Sequence, residues 1–70
     1  MTRRTIEYMG YCLELDLIQN VATVTRGSYE AELLDLEKTS ELRNPKGKVH
    51  RVASWIVGDL VNTAYREGLM

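Results

Sequence analysis

One cysteine, one proline, one histidine, one tryptophan and no phenylalanine occur in 70 residues. With Cys12 alone, no intrachain disulfide can form. Cys12 and His50 fall short of the four ligands of an ordinary structural zinc site, so no metal and no cofactor is expected. A lone thiol fits a reducing compartment, and a cytoplasmic location is the expectation. Long apolar runs are missing too: nothing approaches the roughly 18 apolar residues of a membrane span. The opening MTRRTIEY passes at once into polar–apolar alternation, which predicts neither a signal peptide nor a membrane anchor. Repeats, linkers and low-complexity tracts are absent, and 44% hydrophobic with 27% charged residues is globular composition.

A chain this short buries only about 60% of the surface its unfolded form exposes. Without disulfide or metal, it must rely on dense packing or on a partner, and a homodimer is one such partner.

Net charge is small, and the charges are unevenly placed. The net charge is −1, yet residues 5–41 hold eight acids against two bases, a net of −6. Residues 42–58 hold four bases and no acid: Arg43, Lys46, Lys48 and Arg51. The chain therefore reads as an acidic first half followed by a basic elbow.

From Thr5 to Leu17 the pattern has period two, with Tyr11, Leu13, Leu15 and Leu17 apolar and Glu14 and Asp16 between them. Ile6 and Tyr8 alternate in the same way around Glu7, and Gly10 permits a tight turn. Val21 to Thr25 is rich in β-branched residues and predicts another strand. Residues 29–36 fit either a strand, with Tyr29, Ala31 and Leu33 alternating with Glu30 and Glu32, or a helix capped by Ser28. The strand is preferred, because a β-branched strand followed by Arg26-Gly27 continues most simply as a hairpin. Asn44-Pro45-Lys46-Gly47 has proline second and glycine fourth, as in a type I turn. Val49, Val52, Ala53, Ile56, Val57, Leu60, Val61 and Ala64 recur at i, i+3, i+4 and i+7, which predicts an amphipathic helix with Ile56 central to its apolar stripe. Gly68 suits its C-terminal end.

The expected fold is a single α+β domain over 1–70. Three or four antiparallel strands lie within 4–36, a connector spans 37–48, and one C-terminal helix spans 49–67. In this reading Leu13, Leu15, Leu17, Val21 or Val24, and Leu33 face Val49, Val52, Ile56, Leu60 and Ala64.

For chemistry the sequence offers little. His50 is the only imidazole, and Ser28, Ser40 and Ser54 lie in no nucleophile elbow, so no catalytic residue and no enzyme is expected. The basic elbow is the main candidate. With a helix starting at 49, Lys46, Lys48 and Arg51 would crowd its N-terminus against the dipole, beside free N–H groups that attract anions. Its plainer reading is a solvated turn, or one neutralised by the glutamates. Trp55 falls on the flank of the stripe among Arg51, Asp59 and Asn62, where an aromatic can anchor a contact. Its plainer reading is a wider buried face. Ser54 and Gly58 would allow close approach of another backbone, or are simply solvated.

The expectation is a small non-catalytic regulator or inhibitor acting by stoichiometric protein binding, of the kind that phages and mobile elements carry as accessory proteins. Its candidate binding residues are Arg43, Lys46, Lys48, His50, Arg51, Trp55, Asp59 and Asn62. The partner would present an acidic patch to the 43–55 surface, or a basic patch to the acidic sheet. The alternative is a nucleic-acid-binding module using the elbow at 43–51, against which the pI near 5.7 argues.

Overall fold

Two tight turns start the sheet. In the computed structural model, which describes residues 3–69, Met9 and Gly10 both take left-handed backbone (φ 51 and 83). That is the type I′ geometry whose twist matches the flanking strands. It joins β1 (Arg3–Tyr8) to β2 (Tyr11–Asp16) with Tyr8 opposite Tyr11. Gly27 (φ 63) alone is left-handed in the second turn, as type II′ requires. It joins β3 (Val21–Arg26) to β4 (Tyr29–Glu32) with Arg26 opposite Tyr29. Between them the Asp16 carboxylate accepts from the N–H groups of Ile18 and Gln19, both at 3.1 Å, and Asn20 (φ 60) returns the chain to β3.

After β4 the chain forms α1 (Leu33–Thr39), then β5 (Glu41–Arg43), β6 (Val49–Arg51) and α2 (Ser54–Arg66). The strands form one antiparallel sheet in chain order, β1 to β6. The fold is α+β with a C-terminal helix, as the sequence implies, but the described residues form six strands rather than three or four. The segment 29–36 is both alternatives in succession, strand to Glu32 and helix from Leu33. The expected connector 37–48 contains the end of α1 and all of β5.

The helix begins at Ser54, not at residue 49. Residues 49–51 are an edge strand pairing Leu42 with His50 and Arg43 with Val49. Val52 is buried and donates its N–H to the Ser40 carbonyl at 2.9 Å, so it belongs to the sheet end. Its burial imitates a helical stripe without being part of one. Val49, expected in the core, is 40% exposed on the outer face, and Leu17 is exposed in the β2–β3 loop.

Alternation sorts the sheet into two faces. Leu13, Leu15, Ala22, Val24 and Leu42 point inward and are buried with Leu33 and Leu36 of α1 and Val57, Leu60 and Ala64 of α2. The centre of the α2 stripe is thus Leu60, and Ile56 is only partly buried at its margin. The helix ends in a Schellman motif: Leu69 N–H reaches the Ala64 carbonyl at 3.1 Å and Gly68 N–H the Tyr65 carbonyl at 3.0 Å. Gly68 (φ 83) supplies the left-handed step, and Leu69 is buried behind it.

Two polar contacts align α2 with the first strand. Tyr8 donates its hydroxyl hydrogen to Asp59, and Arg4 pairs with Glu67. The spacing fits: eight helical residues rise about 12 Å and four strand residues span about 13 Å. Among the described residues no helix is long and apolar enough to cross a membrane.

Leu60→Ala should cost about 2–5 kcal/mol, and Ile56→Ala distinctly less. Urea unfolding monitored by circular dichroism checks this, and equal losses at the two positions would contradict a stripe centred on Leu60.

Candidate functional site

The basic elbow divides into parts that face different ways. Arg43 and Arg51 lie on the outer sheet face and converge on one carboxylate, with Glu41 at 3.1 Å from Arg43 and 3.4 Å from Arg51. Cross-strand register produces this: Glu41 stands opposite Arg51, and Arg43 opposite Glu30 on its other side. These exposed pairs hold each other weakly, at about 0–1 kcal/mol each, but one carboxylate thereby engages two of the elbow's four cations.

Lys46 and Lys48 project from the β5–β6 turn. Here the expected turn is present: the Asn44 carbonyl accepts from Gly47 N–H at 2.9 Å, with Pro45 between them. The Asn44 side chain clasps the loop as well, accepting from Lys46 N–H at 3.0 Å and Lys48 N–H at 2.8 Å. The lysines therefore stand on a preorganised loop, and among the described residues neither is paired with a carboxylate. Beside them a shallow depression of about 470 Å³ is lined by Ser28, Tyr29, Asn44 and Pro45 as well as the two lysines. Because α2 starts only at Ser54, these cations are not at a helix N-terminus. The expected opposition to the dipole, and the expected N–H anion site beside it, do not arise.

His50 points inward. Its Nε2 lies 3.1 Å from the Tyr11 hydroxyl oxygen, and its ring centroid is 5.7 Å from that of Tyr29. Arg26 covers the other aromatic, with its guanidinium carbon 4.9 Å from the Tyr11 ring centroid. Tyr11, Arg26, Tyr29 and His50 thus form a polar–aromatic end to the inner face. Tyr29 links this group to the lysine depression. Of the four, the sequence alone singles out only His50. The available signal was the pair of two-residue turns, Tyr8-Met9-Gly10-Tyr11 and Arg26-Gly27-Ser28-Tyr29, whose flanking residues must share a face.

The helix residues lie apart. Trp55 is 58% exposed on the first turn of α2, so it does not widen the buried face. Asp59 is engaged by Tyr8 and serves the fold. Asn62 lines a separate shallow groove between α1 and α2 with Glu37, Ser54 and Gly58.

The outer sheet face carries Glu7, Glu14, Asp16, Glu30, Glu32 and Glu41 against Arg3, Arg43 and Arg51. It is acidic and open. Cys12 is half-buried in the same layer. Among the described residues no group of three His, Cys, Asp or Glu side chains is placed to hold a metal ion. No protein-family model, curated protein or solved structure matches the chain.

The hydrogen bond to Asp59 holds the Tyr8 phenol above its ordinary value; desolvation and the Asp59 charge add to this, and Arg66 opposes it. A raised folded value means that this contribution is complete below the unfolded tyrosine value and is lost as pH rises through the folded one. Thermal melts at about pH 8 and pH 11, either side of the ordinary tyrosine value, should show wild type losing more stability than Tyr8→Phe. Equal losses would place the alkaline instability elsewhere.

Proposed function

We propose that the chain is a non-catalytic binding protein that acts stoichiometrically on another protein, presenting the Lys46–Lys48 turn and the Tyr29 depression to an acidic segment of that partner. One observation carries the reading. Two lysines without carboxylate partners among the described residues stand on a loop fixed by Asn44, at the rim of a concavity with an aromatic wall. A loop already ordered loses little entropy on binding, and its cations favour encounter with an anionic surface. Tyr29 offers apolar contact area beside the charge.

The geometry favours a polypeptide over a nucleic acid. Arg43 and Arg51 are drawn to Glu41, and the sheet face behind the turn carries six carboxylates, which repel a phosphate backbone. A basic partner on that acidic face is the competing protein reading, supported by Glu7, Glu30 and Glu32, which have no ion pair among the described residues.

Lys46→Glu/Lys48→Glu should leave the fold intact and lower affinity for a fluorescent poly-glutamate peptide by about tenfold or more at low salt, an effect that shrinks as salt screens the charges. Anisotropy titrations with poly-glutamate, poly-lysine and duplex DNA in parallel separate the readings. Stronger binding of poly-lysine would move the site to the open sheet face, and salt-resistant binding of DNA would replace it with a nucleic-acid contact. Trp55→Ala, tested alongside, reports whether the surface extends to α2.

A further inference from the structure

The sheet ends in two edges, and only one is long enough to accept another strand. β6 has three residues, whereas β1 has six, with neither proline nor bulge in its register with β2. Which backbone groups β1 leaves open follows from its turn. In a two-residue turn the Tyr8 carbonyl accepts from Tyr11 N–H, so this pair is a hydrogen-bonded one. Antiparallel ladders alternate, so Ile6 and Arg4, opposite Leu13 and Leu15, also bond inward to β2. The N–H and C=O groups of Arg3, Thr5 and Glu7 therefore point away from the sheet. All three residues are exposed.

Most exposed edges are protected by charges that repel a second strand. The charges of β1 are instead self-complementary. We propose that a second copy of this chain adds antiparallel to β1 about Thr5, joining two sheets into one. A two-fold axis normal to the sheet keeps both inner faces on the same side, so inward residues must meet inward residues. With Thr5 opposite Thr5, Arg3 of each copy lies opposite Glu7 of the other, and all three outward-pointing positions form hydrogen-bonded pairs. Neighbouring registers do worse. Centring on Arg4 sets Arg4 against Arg4 and leaves Glu7 unpaired. Centring on Ile6 sets Thr5 against Glu7 and leaves Arg3 facing the Met9 turn. Glu7 has no ion pair among the described residues, while Arg3 has only exposed contacts of 3.4 Å to Glu14 and 3.9 Å to Asp16. Both remain available. This contact is independent of the lysine turn, which lies between the two strands at the other side of the sheet.

The test is the mass of the full chain by sedimentation equilibrium from about 10 µM to 1 mM, the range in which a modest edge contact is populated. The mass should double with concentration. Thr5→Pro removes only an outward N–H, so the β1–β2 ladder is kept and the dimer is lost. Glu7→Arg sets arginine opposite arginine and should raise the dissociation constant by about tenfold or more. Arg3→Glu/Glu7→Arg restores opposite charges and should restore the dimer, an arm that decides the matter even if Thr5→Pro fails to fold. A monomer up to 1 mM overturns the proposal, as does a dimer indifferent to Glu7→Arg.

Discussion

Leu13, Leu15, Val24 and Leu42 can leave water only beneath the two helices, because the described residues form one six-stranded sheet and no second sheet for it to pack against. The rest of the structure follows from that need. Both helices must cross the same face, so the other face is left mainly to charged residues and threonines. α2 comes last in the chain and must lie back over the strands made first, and Arg4 and Tyr8 set its position along β1 through Glu67 and Asp59. A carboxylate that looks available in the sequence, Asp59, is taken up by this alignment.

The period-two pattern of β2, the Asn44–Gly47 turn and the apolar stripe of α2 were legible because each is a strong local signal. The start of α2 was not. Its N-cap is Ala53, which offers no side-chain cap, so nothing local marks the boundary. Val52 is buried as the next inward position after His50, and it also falls at i−4 from Ile56, so strand and helix periods coincide there. The strands β5 and β6 are three residues long and consist of Glu41, Leu42, Arg43, Val49, His50 and Arg51, too short and too polar for a periodic signal. The first helix was masked similarly: Leu33 and Leu36 are its only buried residues, and Leu33 also extends the alternation of β4.

The same boundary error governed the reading of the candidate site. The elbow was expected to be one cluster at a helix N-terminus. Two extra strands pass through it and turn alternate residues to opposite faces, so Arg43 and Arg51 go outward, His50 goes inward, and only Lys46 and Lys48 remain on the turn. What the sequence did convey correctly was the shape of that turn, because proline and glycine fix it locally. The tyrosines and Arg26 around His50 come from distant segments, and only the pairing of the hairpins brings them together.

The strand order has a consequence for how the protein is made. Every strand pairs with its neighbour in the chain, so each hairpin can form as soon as it is synthesised, without waiting for distant partners. The helix that covers them is the last element of the order. A nascent chain therefore displays a paired sheet whose apolar side is covered only in part, by α1, until α2 has emerged. Docking of α2 over that side converts a string of local hairpins into a single cooperative unit, and the interval before it is when the polypeptide is most open to aggregation or to capture by a chaperone.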